Sequence, residues 1–152
     1  GPDRKDNNKY PDVYFANSFV GNYLRLELLS RYKQQQKLLN ESIDFFDYMA
    51  VKTGTLWENI GTYASCNHGF ASHIVHLLYR DVLGISDIDY RNRKIVFRIP
   101  DIELEKCEGI IPVGDDIIKL SWSKTDGIID INYSLPEGFT SVIENNSKCK
   151  IR

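Results

Sequence analysis

Between Tyr14 and Tyr32 the apolar residues fall at Phe15, Phe19, Val20, Tyr23, Leu24, Leu26, Leu28 and Leu29. Steps of three and four predict an amphipathic helix, with Asp12 after Pro11 as its N-cap. Gln34 to Val51 repeats the pattern at Leu38, Leu39, Ile43, Phe46 and Met49. Only Arg31–Lys33 intervenes, so the two helices are expected to form an antiparallel hairpin. Lys52 to Ser65 has no period and reads as a loop, the kind of segment that carries function on a helical scaffold. A third helix is expected through His73, Ile74, Leu77, Leu78 and Val82, capped by Ser65 or Asn67 and ended by Gly84 in a left-handed conformation.

After Gly84 the period changes from 3.6 to 2. Ile95, Phe97 and Ile99 alternate with Lys94, Val96 and Arg98, and Pro100 closes the run. Ile118, Leu120 and Trp122 alternate with Lys119, Ser121 and Ser123. Ile129, Ile131 and Tyr133 alternate with Asp130 and Asn132. Asp126-Gly127 between these last two runs predicts a hairpin. Ile110–Val113 and Ser141–Ile143 are shorter strands, with Pro136-Glu137-Gly138 as a turn. Helices followed by strands, with a boundary near residue 85, imply segregated layers or subdomains and not a βαβ fold.

Composition changes this picture little. The 152 residues are 42% hydrophobic and 26% charged, as in a globular domain. A net charge of −2 gives no global field toward nucleic acid or anionic membrane. No apolar run reaches roughly 18 residues, the length of a membrane span. Cys66, Cys107 and Cys149 have neither zinc-site spacing nor a disulfide framework and are expected to be free. Asn40, Asn132 and Asn145 open Asn-x-Ser triplets, which arise often by chance. The polar start Gly1-Pro2-Asp3-Arg4 lacks an initiator Met, which predicts a longer gene product or a processed tag.

The densest chemical cluster is Gly54-Thr55-Leu56-Trp57-Glu58, followed by Asn67-His68. An indole packs on the C–H face of a pyranose, a carboxylate activates water or protonates a leaving oxygen, and His and Asn bond hydroxyls. A packed loop Trp beside a solvated Glu would give the same sequence. His73 and His76 have the spacing of a ligand pair, but a metal site needs a third ligand and their neighbours are apolar. Cys66 lies two residues from His68, which is not by itself catalytic geometry. The acidic residues Asp101, Glu103, Glu105 and Glu108 are scattered between strands. A sugar-binding face in the strand region competes there with a purely structural cap.

Four segments together carry a resemblance: Asn17-Ser18-Phe19-Val20-Gly21-Asn22-Tyr23-Leu24-Arg25, Thr53-Gly54-Thr55-Leu56-Trp57-Glu58, Ser65-Cys66-Asn67-His68-Gly69-Phe70-Ala71-Ser72 and Leu78-Tyr79-Arg80-Asp81-Val82-Leu83-Gly84-Ile85. In order and spacing they resemble the C-terminal portion of the α-L-rhamnosidases, inverting glycoside hydrolases of the six-hairpin type. The resemblance implies the last helices of an (α/α)6 barrel over residues 1–85. It implies a small antiparallel β-sandwich-like domain over residues 86–152. It also implies hydrolysis of terminal α-L-rhamnosyl residues, with an acid and a base about 6.5–9.5 Å apart to admit a water. Glu58 matches the family's general base, Trp57 would line the sugar pocket and His68 would contact rhamnose. No cofactor or metal is implied. The general acid comes from upstream barrel segments that this sequence lacks, and a six-hairpin barrel needs about twelve helices. The chain is therefore expected to be inactive alone, its partners being a rhamnose-containing carbohydrate and the rest of the barrel or a chain supplying it. A non-catalytic sugar-binding or barrel-completing accessory chain is the alternative. Polysaccharide-degrading enzymes of this kind are often periplasmic or secreted, and localisation stays open.

Overall fold

The computed structural model describes residues 18–61 and 63–152. The expected cap Asp12 and the first apolar position, Phe15, lie outside them. The chain divides into two compact units, Gly1–Val75 and His76–Arg152.

In the first unit, α1 (Phe19–Arg31) and α2 (Gln35–Thr53) pack as a hairpin. Ser18, in extended conformation, precedes α1 without a side-chain cap. The first helical N–H, that of Phe19, instead donates to the Glu58 carbonyl at 2.9 Å. An orphan donor at the helix start is thereby satisfied from the loop that follows α2. Leu26 and Leu29 of α1 and Leu38, Leu39, Phe46 and Met49 of α2 are buried, as their spacing dictates. Arg25 and Glu41 cross-link the helices by a two-pronged pair, Nε to Oε2 at 2.9 Å and Nη2 to Oε1 at 2.8 Å. Lys33, at φ 55°, makes the reversal between them. Gly54, at φ 70°, ends α2 and frees the chain to turn into the Trp57–Glu58 loop.

The third helical stretch is not the single regular helix its spacing predicts. A tight 3₁₀ turn, Gly69–Ser72, leads into a short helix α3 (His73–Leu77), and Leu78–Leu83 then widens into a π-helical turn. The Gly84 N–H reaches back five residues to the Tyr79 carbonyl at 3.1 Å. Gly84 does take the expected left-handed conformation, φ 101°. The Leu83 carbonyl accepts a hydrogen bond from the Trp122 indole at 2.9 Å. Tertiary contacts of this kind override the 3.6 period.

The second unit holds two sheets. β1 (Ile85–Asp89), β2 (Lys94–Ile99) and β6 (Thr140–Asn145) form the first, in the order β1-β2-β6. β3 (Lys106–Val113), β4 (Asp116–Thr125), β5 (Ile128–Ser134) and β7 (Lys150–Ile151) form the second, in sequence order. A common core joins them: Ile85, Ile95 and Phe97 from one sheet meet Val113, Ile118 and Leu120 from the other, with Leu83 between. Burying each of these large apolar side chains contributes roughly 1.5–3 kcal/mol. The expected Asp126-Gly127 hairpin is present, both residues having positive φ, as a tight two-residue turn between twisted strands requires. The expectation of purely antiparallel strands is corrected. β6 runs parallel to β2, and β7 runs parallel to β5. Neither late strand directly follows its partner: β3 to β5 lie between β2 and β6, and β6 lies between β5 and β7, so no hairpin forces either to reverse direction.

Candidate functional site

The loop after α2 is held by its own backbone. The Glu58 N–H donates to the Ser65 carbonyl and the His68 N–H to the Leu56 carbonyl, each at 2.8 Å. The Thr55 hydroxyl donates to the Cys66 carbonyl, and the Tyr48 hydroxyl to that of Ile60. Burial, and next the neighbouring Cys66, hold the Tyr48 phenol above its ordinary pKa, so it stays a donor at neutral pH.

Extended backbone sends successive side chains to opposite sides. Trp57 goes inward and is 1% exposed. Its Nε1 donates to Thr53 Oγ1 at 2.7 Å, and its ring meets Tyr48 edge-on at 5.3 Å between centroids. The residue expected to line a sugar pocket is thus the anchor of the loop. Its neighbour Glu58 is half-buried. The Glu58 carboxylate accepts one long hydrogen bond, 3.4 Å from the Ser65 N–H, among the described residues. Most of its lone pairs remain open to water or a ligand.

His68 is also half-buried, with its ring against Phe19 at 4.7 Å and Phe70 at 5.7 Å. Phe19 therefore ties the two candidates together. Its N–H holds the Glu58 backbone, while its ring carries the His68 imidazole. Asn59, buried beside Glu58, accepts from the Gly61 N–H at 2.8 Å and pairs by backbone with Ser18. Neither Phe19 nor Asn59 stands out as a site residue in the sequence. An apolar helix start and a loop amide are common, and only the fold joins them.

The other candidates separate. His73 packs against Tyr23 and Phe46 at 4.8 and 5.9 Å, with Nδ1 3.3 Å from the Phe70 carbonyl. Its Nε2 and the Asn22 Oδ1 are buried without a hydrogen-bond partner among the described residues. Burial pulls the His73 pKa below its ordinary value, against the opposing pull of the Phe70 carbonyl and Glu27. His76 is exposed, its Nε2 3.3 Å from Arg80 Nη1. Among the described residues no three His, Cys, Asp or Glu side chains are gathered as a metal site would need. Cys66, Cys107 and Cys149 are free thiols.

No protein-family model matches the sequence, and no curated protein matches it. Among solved structures, the GH78 family rhamnosidase of Bacillus sp. GL1 superposes over 90% of this chain with a TM-score of 0.78, at 16% sequence identity. The chain has the fold of one segment of that enzyme. The match spans 16% of the length of the rhamnosidase. The described residues comprise helices and two sheets, and a complete six-hairpin barrel is not among them. No described helix is long and apolar enough to cross a membrane.

Proposed function

We propose that this chain is the C-terminal portion of a glycoside hydrolase of the α-L-rhamnosidase type. Residues 1–85 supply the last helices of its catalytic barrel and residues 86–152 its β-domain. The observation that carries this reading is the fold shared with a segment of a rhamnosidase. The partly open carboxylate of Glu58, on a loop held by its own backbone and by the buried Trp57, supports it.

In this reading Glu58 is the general base that draws a proton from the attacking water, and the reaction inverts the anomeric centre. Trp57 acts from beneath, by fixing the backbone from which Glu58 projects. His68 bonds a sugar hydroxyl in the wall of the rhamnose pocket, and Trp57 supports that wall from behind. The general acid comes from helices outside this sequence. An apolar stripe on α1, with Val20, Leu24 and Leu28 each at least half exposed, supplies the surface those helices cover. With the acid missing, the leaving oxygen is not protonated, and the 152-residue chain alone does not turn over a rhamnoside.

The test is Glu58→Gln in a protein that carries this chain together with the preceding barrel helices. Hydrolysis of an aryl α-L-rhamnoside should fall by about 10²–10⁴-fold, the usual weight of a general base. Unchanged turnover would remove Glu58 from the mechanism. Release of a β-anomer as first product supports inversion, whereas an α-anomer overturns it. The same apolar stripe favours a second reading, an accessory chain that completes a partner's barrel. Isolation of a native protein ending upstream of Phe19, bound to this chain, would establish that alternative.

A further inference from the structure

The outer face of the second sheet is unlike the rest of the β-unit. Strand register sets six polar side chains in two rows of three across β3, β4 and β5: Lys106, Ser123 and Asp130, then Glu108, Ser121 and Asn132. The alternate residues turn into the core, Trp122 being almost fully buried. Each row has a serine at its centre and longer side chains at its sides. Short residues between tall ones leave a trough, with a volume of ≈ 320 Å³, at the small end of ligand sites.

The chemistry of the trough selects a ligand class. Lys106, Glu108 and Asn132 have no hydrogen-bond or ion-pair partner for their side chains among the described residues. Asp130 is clamped by Arg152, Nε at 2.7 Å and Nη2 at 3.0 Å, which fixes one wall. The lining carries one cation, Lys106, and two anions, Glu108 and Asp130, but Arg152 from outside it neutralises Asp130, so net charge selects neither an anion nor a cation. Carboxylates accept, the ammonium donates, and serine hydroxyls and the asparagine amide do both. A group of vicinal hydroxyls needs that mixture. We infer that this trough is a binding site for a neutral saccharide, about one or two rings in size, in the β-unit and separate from the Glu58 loop. It presents no aromatic platform, so its affinity is weak.

The test is a titration of the full chain, followed by amide proton–nitrogen correlation spectra, with methyl α-L-rhamnopyranoside and methyl β-D-glucopyranoside as neutral probes. Glucuronate and glucosamine serve as charged ones. Saturable shifts should appear at Glu108, Ser121, Ser123 and Asn132 with at least one neutral glycoside, and be weaker with both charged sugars. Asn132→Ala should weaken binding about three- to tenfold, as for loss of one or two hydrogen bonds. Ser121→Leu, which fills the trough from its exposed side, should abolish binding while core amide signals stay in place. No saturable shift in the trough with either neutral glycoside overturns the inference. So does tighter binding of a charged sugar, or binding that survives Ser121→Leu. Shifts at Glu58 and His68 report on the other site and are read independently.

Discussion

Replacing Trp57 by alanine tests whether the buried indole holds the Glu58 loop. The side chain is 1% exposed and is gripped by Thr53, Tyr48 and the ammonium of Lys52. Removing a large buried aromatic costs about 3–5 kcal/mol, from lost burial and the cavity left behind. Phenylalanine keeps most of the volume and loses the Nε1 hydrogen bond. Thr53 Oγ1 retains its bond to the Met49 carbonyl at 3.1 Å, so no polar group is orphaned. Trp57→Phe should therefore cost about 1–2 kcal/mol. For a chain of this size each kcal/mol moves the melting temperature by roughly 2–4 °C, so the alanine variant should melt about 10 °C lower. Helical circular dichroism reads the first unit, and Trp122, left as the sole indole, reads the second. Amide exchange at Glu58 and His68 should accelerate in the alanine variant, since both N–H groups are bonded within the loop. A cost below about 1 kcal/mol for Trp57→Ala would refute the anchoring role, because no large buried side chain is that cheap. Equal costs for Phe and Ala would assign the role to the hydrogen bond rather than to packing.

Other perturbations reach different parts of the molecule. His73 has a folded pKa below its ordinary value of 6.5, so the unfolded chain takes up more protons as the pH falls. Urea midpoints should therefore drop as the pH falls through about 6.5, and the drop should shrink in His73→Leu. At Gly109 an added Cβ would lie 2.6 Å from Leu83 Cδ2 and 3.2 Å from Tyr79. Gly109→Val should cost about 1–3 kcal/mol in chemical denaturation, as overpacking does. Gly127→Val puts a branched residue at φ 75° and should cost about 1–2 kcal/mol by the same measurement.

What the sequence reveals follows the range of the forces involved. The buried faces of α1 and α2 and the alternating runs of β2, β4 and β5 depend on local period, and all are legible. β1 escapes because its register shifts between Ile85 and Asp87. Its apolar residues Ile85 and Ile88 stand three apart, which imitates a helix, and only that irregularity brings both to the core. β7 has two residues, Lys150 and Ile151, too few for any period. The widened turn at Leu78–Leu83 answers to Trp122, thirty-nine positions from Leu83, and no local window contains that partner. Glu58 is conspicuous beside Trp57, but the orientation of the pair is not. Which of the two turns inward depends on Thr53, Tyr48 and the Phe19 backbone. Parallel pairing is hidden for the same reason, since the alternation of a strand carries no direction.

The parallel partnership of β2 with β6 has a consequence for how the protein is made. Lys94 pairs with Thr140 and Ile99 with Asn145, so the whole second hairpin pair, β3 to β5, is synthesised between the two partners. During translation β2 can pair with β1, but its other edge stays open until β6 leaves the ribosome. Ile95 and Phe97, wholly buried in the finished fold, belong for that interval to a strand with an unsatisfied edge, the state in which chains find wrong neighbours. Closing so long a loop is slow compared with forming the Asp126-Gly127 hairpin. The interval before β6 arrives is therefore a window in which a nascent chain can aggregate.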